Sequence, residues 1–434
     1  MIKQAGSPVT LTAKPHSLKE FVPQEPASLA ATGLSASTIE SLVLKQLLTG
    51  NVLTGRQIAD NLRLPLTLLG ELLRRLKTEQ IVVYKSSSGV NDYEYELTPL
   101  GFDRAQRLFQ HSTYHGPAPV PLGEYVASIA AQSPSNAAPK AADLRKALEG
   151  LLIDPRLFGQ IGEAISSVGA LFLYGAPGNG KTSIAERLTS AFGPTIWIPH
   201  VIDVDGETIQ IFDPIVHTEA PFDGQTQNLR PDHRWVHIRR PTIIAGGELT
   251  LDNLEIGRRA ASGIVEAPLH LKSNCGTLVI DDFGRQRVST VDLLNRWIVP
   301  LEKRYDYLTT PGGRKIQVPF NQMIVFATNL EPRQLVDEAF LRRIPYKIEI
   351  PDPTEDKFRE LCRSAAETYA IDYHQDVIDH LIETHYQMAR RPFRFCHPRD
   401  LFLQVRNHCN FHERKLELTT EAIDAAVANY FVGG

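Results

Sequence analysis

Cysteine is scarce. Cys275, Cys362, Cys396 and Cys409 are spread over 434 positions, and no two form a C-x-x-C pair. That excludes a disulfide scaffold and leads us to expect a reducing, cytoplasmic setting. Neither sign of charge is in surplus: 46 Lys+Arg against 50 Asp+Glu leave a net of −4. A histone-like coat for nucleic acid would need a strongly basic balance. No apolar run approaches the ~20 residues that span a bilayer, so membrane insertion is not expected. The opening segment has no apolar core behind basic residues, and no secretory leader is expected. No repeat of solenoid period is present. What remains is ordinary globular usage, 42% hydrophobic and 22% charged. At roughly 150 residues per domain, the length suggests about three units.

Residues 1–35 are rich in Pro, Ser, Ala and Thr and read as a loosely ordered tail. Across 36–110, Ile39, Leu42, Val43, Leu47 and Leu48 form a helix stripe broken by Gly50. Thr54-x-x-Gln57 is a capping box that opens a second helix at Gly55. Pro65 starts a third, with Leu69, Leu72, Leu73 and Leu76 at core spacing. Ile81–Lys85 and Tyr93–Leu97 are β-prone and flank the turn signal of residues 86–92. Thr98-Pro99 begins a closing helix. Three helices, a hairpin and a further helix resemble a winged helix-turn-helix. Pro117, Pro119, Pro121, Pro134 and Pro139 give 111–140 the composition of a linker. From 141 to 350, helical segments alternate with the apolar runs Ala170–Tyr174, Thr195–Pro199, Thr277–Ile280 and Met323–Thr328. Such runs suit strands buried on both faces of a parallel sheet. Residues 351–434 return to helical periodicity.

The strongest chemical signal is Gly175-Ala176-Pro177-Gly178-Asn179-Gly180-Lys181-Thr182, a full G-x-x-x-x-G-K-[ST] match between a strand and a helix that runs on through Ser183. Glycines let backbone N–H groups wrap a phosphate, and the helix N-terminus adds its positive dipole. Lys181 is expected on the β- and γ-phosphates and Thr182 on Mg²⁺. Leu278-Val-Ile-Asp281-Asp282 ends an apolar strand in two carboxylates, where ligands sit in open α/β sheets. Asp281 is the candidate for holding Mg²⁺, partly through water, and Asp282 for polarising the attacking water. Ile324–Asn329 ends a strand in an amide that could bind the γ-phosphate or orient the water; a plain turn is the alternative.

These motifs, then Leu341-Arg342-Arg343-Ile344 and a helical C-terminal unit, resemble an AAA+ ATPase over about 150–434. The resemblance implies an α/β P-loop parallel-sheet core over 141–350 and an α-helical lid over 351–434. It implies ATP between the subunits of a ring, a hexamer. Asn329 looks like its sensor-1 residue. Arg343, or failing that Arg342, looks like the finger that reaches a neighbour's γ-phosphate. Arg399 of His397-Pro-Arg-Asp-Leu401 looks like sensor 2. The segment from Gly263 to Leu278 and a hairpin over 307–320 are similar to the pre-sensor-1-hairpin, MoxR-like branch. That branch suggests remodelling of a protein partner. ATP rather than GTP rests on this resemblance, since the phosphate loop does not encode the base.

Two departures stand out. The family's usual residue at 282 is Glu; Asp is one methylene shorter, which would suit slow hydrolysis or a nucleotide-gated switch. The stretch from Thr182 to Asp281 is long, and 203–250 reads as a β-rich insertion. The alternative function is an ATP-controlled DNA-binding regulator acting through the winged helix. Arg74, Arg75 and Lys77 motivate it. Against it, nine Lys/Arg and eight Asp/Glu over 38–110 leave only +1. Leu66 and Leu68 head the would-be recognition helix, and Asp92 sits near the wing tip. His408 and His412 share a helix face but match no zinc spacing, and Trp235 and Trp297 read as packing.

Overall fold

The computed structural model describes residues 21–431 apart from 88–91, 137, 223–229, 259–263 and 337. Most of the expected tail (1–20), the centre of the wing turn and Gly263 lie outside the described residues. Residues 21–35 are not loose tail: Phe21 meets Trp235 edge-on with ring centroids 5.8 Å apart.

The N-terminal unit runs α1 (Ala36–Gly50), β1 (Val52–Thr54), α2 (Gly55–Leu62), α3 (Leu66–Thr78), β2 (Val82–Ser87), β3 (Tyr93–Leu97) and α4 (Pro99–His111). Its sheet has the order β1-β3-β2, so the expected helices and hairpin form, with β1 added as a third strand. The Thr54/Gln57 capping box forms as spaced. Asp92 is not an exposed wing residue. It is 6% exposed and accepts from the Gly55 and Arg56 N–H groups at 2.8 and 3.2 Å. A carboxylate there satisfies the orphan donors of α2 and opposes its dipole.

The segment read as a linker is built into the fold. It holds β4 (Val120–Pro121), α5 (Leu122–Ala131) and, just beyond it, α6 (Ala141–Ala147). Tyr125 and Ile129, four apart on α5, are buried, and the Tyr125 hydroxyl donates to the Leu271 carbonyl at 3.2 Å. The prolines misled because Pro121 sits at the N-cap of α5, a position where its missing N–H costs nothing.

The core follows with α7 (Pro155–Ser166), β5 (Ala170–Tyr174) and α8 (Lys181–Leu188). Next come β6 (Thr195–Pro199), β7 (Val201–Val204), β8 (Glu207–Gln210), β9 (Trp235–Arg239) and β10 (Thr242–Ala245). Then come β11 (Gly257–Arg258), β12 (Val265–Glu266), α9 (Leu269–Lys272), β13 (Thr277–Ile280), α10 (Thr290–Lys303), β14 (Tyr305–Thr309), β15 (Lys315–Pro319) and β16 (Met323–Thr328). Short α11 (Pro332–Leu335) and α12 (Glu338–Leu341) lead to β17 (Tyr346–Glu349). The central sheet is parallel throughout, in the order β10-β13-β16-β5-β17. One expected member is missing from it. Thr195–Pro199 pairs instead antiparallel with β9, and β10, inside the range read as insertion, takes the sheet edge. The β6–β9 pair therefore closes at Arg239, and the chain is back in the core sheet before 250. β7 and β8 join a mixed sheet, β11-β12-β8-β7-β4, whose other strands come from segments before 194 and after 250. Trp235 and Trp297 are both buried, as packing residues should be.

The C-terminal unit comprises α13 (Glu355–Tyr369), α14 (Gln375–Ile382), α15 (Cys396–Phe411) and α16 (Thr420–Tyr430) around its own apolar core. A π-helical turn, Glu383–Gln387, extends α14. The fold is thus α/β, a P-loop parallel-sheet core with a C-terminal helical unit and a small N-terminal unit of four helices and a three-stranded sheet.

Candidate nucleotide site

Strand order brings the motifs together. β13, β16 and β5 are neighbours, and their C-terminal ends deliver Asp281, Asn329 and the glycine loop to one edge. All four residues of β13 and all six of β16 are buried, so these ends are held by a core packed on both faces. The loop turns into α8 through Gly180, an N-cap at φ +79°, which a side chain would strain.

The Lys181 ammonium donates to the carbonyls of Gly175 and Ala176 at 3.0 and 2.9 Å and to Asn329 Oδ1 at 2.7 Å. Asn329 Nδ2 in turn donates to Asp282 Oδ1 at 3.1 Å. The amide therefore links the lysine of the cradle to the second carboxylate. The Thr182 hydroxyl lies 3.0 and 3.1 Å from the two oxygens of Asp281. Burial lowers the Lys181 pKa, and the nearby Asp281 and Asp282 charges oppose that shift. Asp282 has φ +47°, uncommon for a non-glycine residue, and Gln286 donates to the carbonyls of both Asp281 and Asp282 at 2.7 and 3.1 Å. That contact fixes the turn and was not read from the sequence, since a side chain returning four or five positions leaves no periodic signal.

These groups border a cavity of ≈ 540 Å³. Pro177, Gly178, Asn179, Gly180, Lys181, Thr182 and Ser183 line it, with Asp281, Asp282, Asn329 and Arg399. Leu151, Ile153, Leu157 and Leu361 supply an apolar wall suited to a flat base. The lid closes one side. The Cys396 N–H donates to the Gly178 carbonyl at 3.0 Å, and a Cβ on Gly178 would collide with the Cys396 sulfur. Asn179 Nδ2 donates to Asp352 Oδ1 at 2.7 Å, and Asp352 pairs with Arg394. Asp352, Arg394 and Cys396 were missed by sequence reasoning, because their partners lie far away along the chain.

Arg399 borders the cavity, but its side chain is 72% exposed and pairs with Asp400 at 3.0 Å. Arg342 and Arg343 do not border it. Arg342 faces a separate open pocket with Tyr174, Glu331, Arg333 and Lys347, and Arg343 Nε lies 3.7 Å from Glu302. The donor set of Thr182 hydroxyl and Asp281 carboxylate, hard oxygens beside a phosphate cradle, fits Mg²⁺.

Residues 354–429 match a family model described as a domain of unknown function (DUF8689). No curated protein matches the chain. Among solved structures, NtrX from Brucella abortus in complex with ATP is similar at 11% identity and a TM-score of 0.43, over 67% of this chain and 57% of that one. NtrX in complex with ADP gives 11% and 0.42 over 68% and 57%. This chain thus spans less than two thirds of NtrX. RuvB from Thermotoga maritima, described as a Holliday junction branch migration motor, is similar at 14% and 0.37 over 67% and 74%. No helix among the described residues is long and apolar enough to cross a membrane.

Proposed function

We propose that the chain is an ATP hydrolase that works as a ring, a hexamer, and uses turnover at subunit interfaces to remodel a protein partner in the cytoplasm. The observation that carries the hydrolase is Asn329 joined to both Lys181 and Asp282 at the mouth of the glycine loop. Lys181 would exchange its loop carbonyls for phosphate oxygens. Thr182 and Asp281 would hold Mg²⁺, which neutralises charge on the transferring phosphoryl group. Asp282, aimed by Asn329, would accept a proton from the attacking water. Arg399 would leave Asp400 for the phosphates. Arg343, or Arg342, would serve a neighbouring subunit, in keeping with their distance from this chain's own cavity.

The surface of α3 favours a protein over DNA as partner of the winged helix. Arg75 is engaged by Glu40 at 2.8 Å and by Glu79 at 3.6 Å. Lys77 lies over the Tyr84 ring at 4.1 Å. Two of the three basic side chains that could touch phosphate are thus committed within the domain.

Steady-state ATP hydrolysis, measured with and without duplex DNA and with Lys181→Ala as the blank, tests this. A rate above the blank and indifferent to DNA is expected. Full activity in Lys181→Ala would sink the hydrolase assignment, and stimulation by DNA that fades with salt would replace the protein partner with DNA.

A further inference from the structure

The lid carries a second cluster of metal-ligating groups, remote in sequence from the glycine loop. His380 closes α14, His385 lies in the π-helical turn, and Asp424 belongs to α16. Both imidazole Nε2 atoms reach the same carboxylate oxygen, at 2.9 Å from His380 and 2.6 Å from His385. The three ligand atoms lie within 4.8 Å of one another.

The backbone explains why both rings reach one point. Residues five apart on a continuous α-helix face about 140° away from each other. Here the helix widens: the Met388 N–H donates to the Glu383 carbonyl, an i to i−5 bond, at 3.0 Å. The extra residue per turn rotates His385 round toward the face of His380. Such π-turns are rare in helices and frequent at functional sites. His380 Nδ1 lies 3.4 Å from the Thr384 hydroxyl, which orients that ring with Nε2 toward Asp424.

We infer that His380, His385 and Asp424 form a binding site for a divalent transition metal of the zinc type, which ties α14 to α16. Two imidazoles select against Mg²⁺ and Ca²⁺, which prefer oxygen ligands throughout. Ligand bonds of about 2.0–2.2 Å at tetrahedral angles need ligand atoms roughly 3.4 Å apart, so the two His–Asp pairs must open by about half an ångström or slightly more. Rotation about side-chain torsions supplies that. All three side chains are partly exposed, at 32%, 21% and 45%, so an ion can enter from solvent and a water can complete the coordination. This site does not depend on the nucleotide reading.

The test uses the full chain, stripped with chelator and kept free of nucleotide and Mg²⁺. Co²⁺ is titrated in and followed by its visible absorption, then displaced with Zn²⁺. One saturable equivalent is expected, with a rise in melting temperature. His385→Ala and Asp424→Asn should each weaken binding at least tenfold, while Asp281→Asn and His408→Ala leave it intact. Far-ultraviolet dichroism checks that the lid variants keep their helices, and His380→Gln provides a milder second variant. No saturable binding, or binding unchanged in both His385→Ala and His380→Gln, would reduce the cluster to a hydrogen-bonded His–Asp–His clamp and overturn the proposal.

Discussion

At the scale of single residues, the site rests on a few contacts that can be removed one at a time. Lys181→Ala should abolish nucleotide binding, because no other ammonium lines the cavity among the described residues. Asp282→Asn keeps the hydrogen bond to Asn329 in reach but removes the base, so binding should persist while turnover falls by about 10²-fold or more. A fluorescent ATP analogue and a phosphate-release assay separate the two. If the shorter carboxylate limits the rate, Asp282→Glu should raise turnover. A pH effect resides in the lid: burial, with Arg394 and Arg391 nearby, lowers His397 to about 4. Its ring Nδ1 meets the Tyr386 hydroxyl at 2.9 Å. The neutral ring is favoured by folding, so its contribution is complete above pH ~6.5 and is lost as the pH falls toward 4. Urea midpoints should drop over that window, and less steeply in His397→Asn. The glycine loop, Asp281, Asp282 and Asn329 were legible in the sequence because each is a local pattern at a strand end. Gln286, Asp352 and Arg394 were not, because what gives them a role is a partner brought in by folding.

At the scale of elements, the core was read more reliably than its borders. Thr195–Pro199 and Thr242–Ala245 are both short apolar runs, and composition does not say which pairs with β13. Position decides: β10 follows directly after the accessory strands return, and it forms an edge where Ile244 stays 41% exposed. The hairpin of β14 and β15 was legible from Pro311-Gly-Gly313, and it pairs from Tyr305 with Pro319 to Thr309 with Lys315. Trp297 of α10 packs against Phe320 and Phe326, ring centroids 6.3 and 6.1 Å away. Trp297→Ala should cost about 3–5 kcal/mol, measured by denaturant unfolding, and should loosen the packing of Phe320 and Phe326 around it. The lid's tether makes a different prediction. Arg394→Ala releases Asp352, leaving Asn179 as its partner, so nucleotide affinity should fall severalfold with global stability nearly unchanged. Parallel titration and melting would show that split.

At the scale of the whole molecule, Arg342 and Arg343 lie apart from the cavity within one chain. If Arg343 completes a neighbour's site, specific activity should rise with protein concentration and saturate as rings form. Arg343→Ala should keep nucleotide binding and lose most turnover, and mixing it with Asp282→Asn chains should restore activity in part, because some interfaces then pair an intact arginine with an intact carboxylate. Size measurements on the same samples check the assembly. The accessory strands bear on how the core tolerates change. The chain leaves the core at Pro194 and re-enters at Arg240, whose N–H donates to the Pro194 carbonyl at 2.9 Å, with Thr195 and Arg239 paired beside it. Because its two ends touch, this excursion can change in length without displacing the strand ends that carry Lys181, Asp281 and Asn329. Its β7 and β8 are also paired to β4 and β12, so a push on the accessory sheet is felt both before the core begins and just ahead of β13.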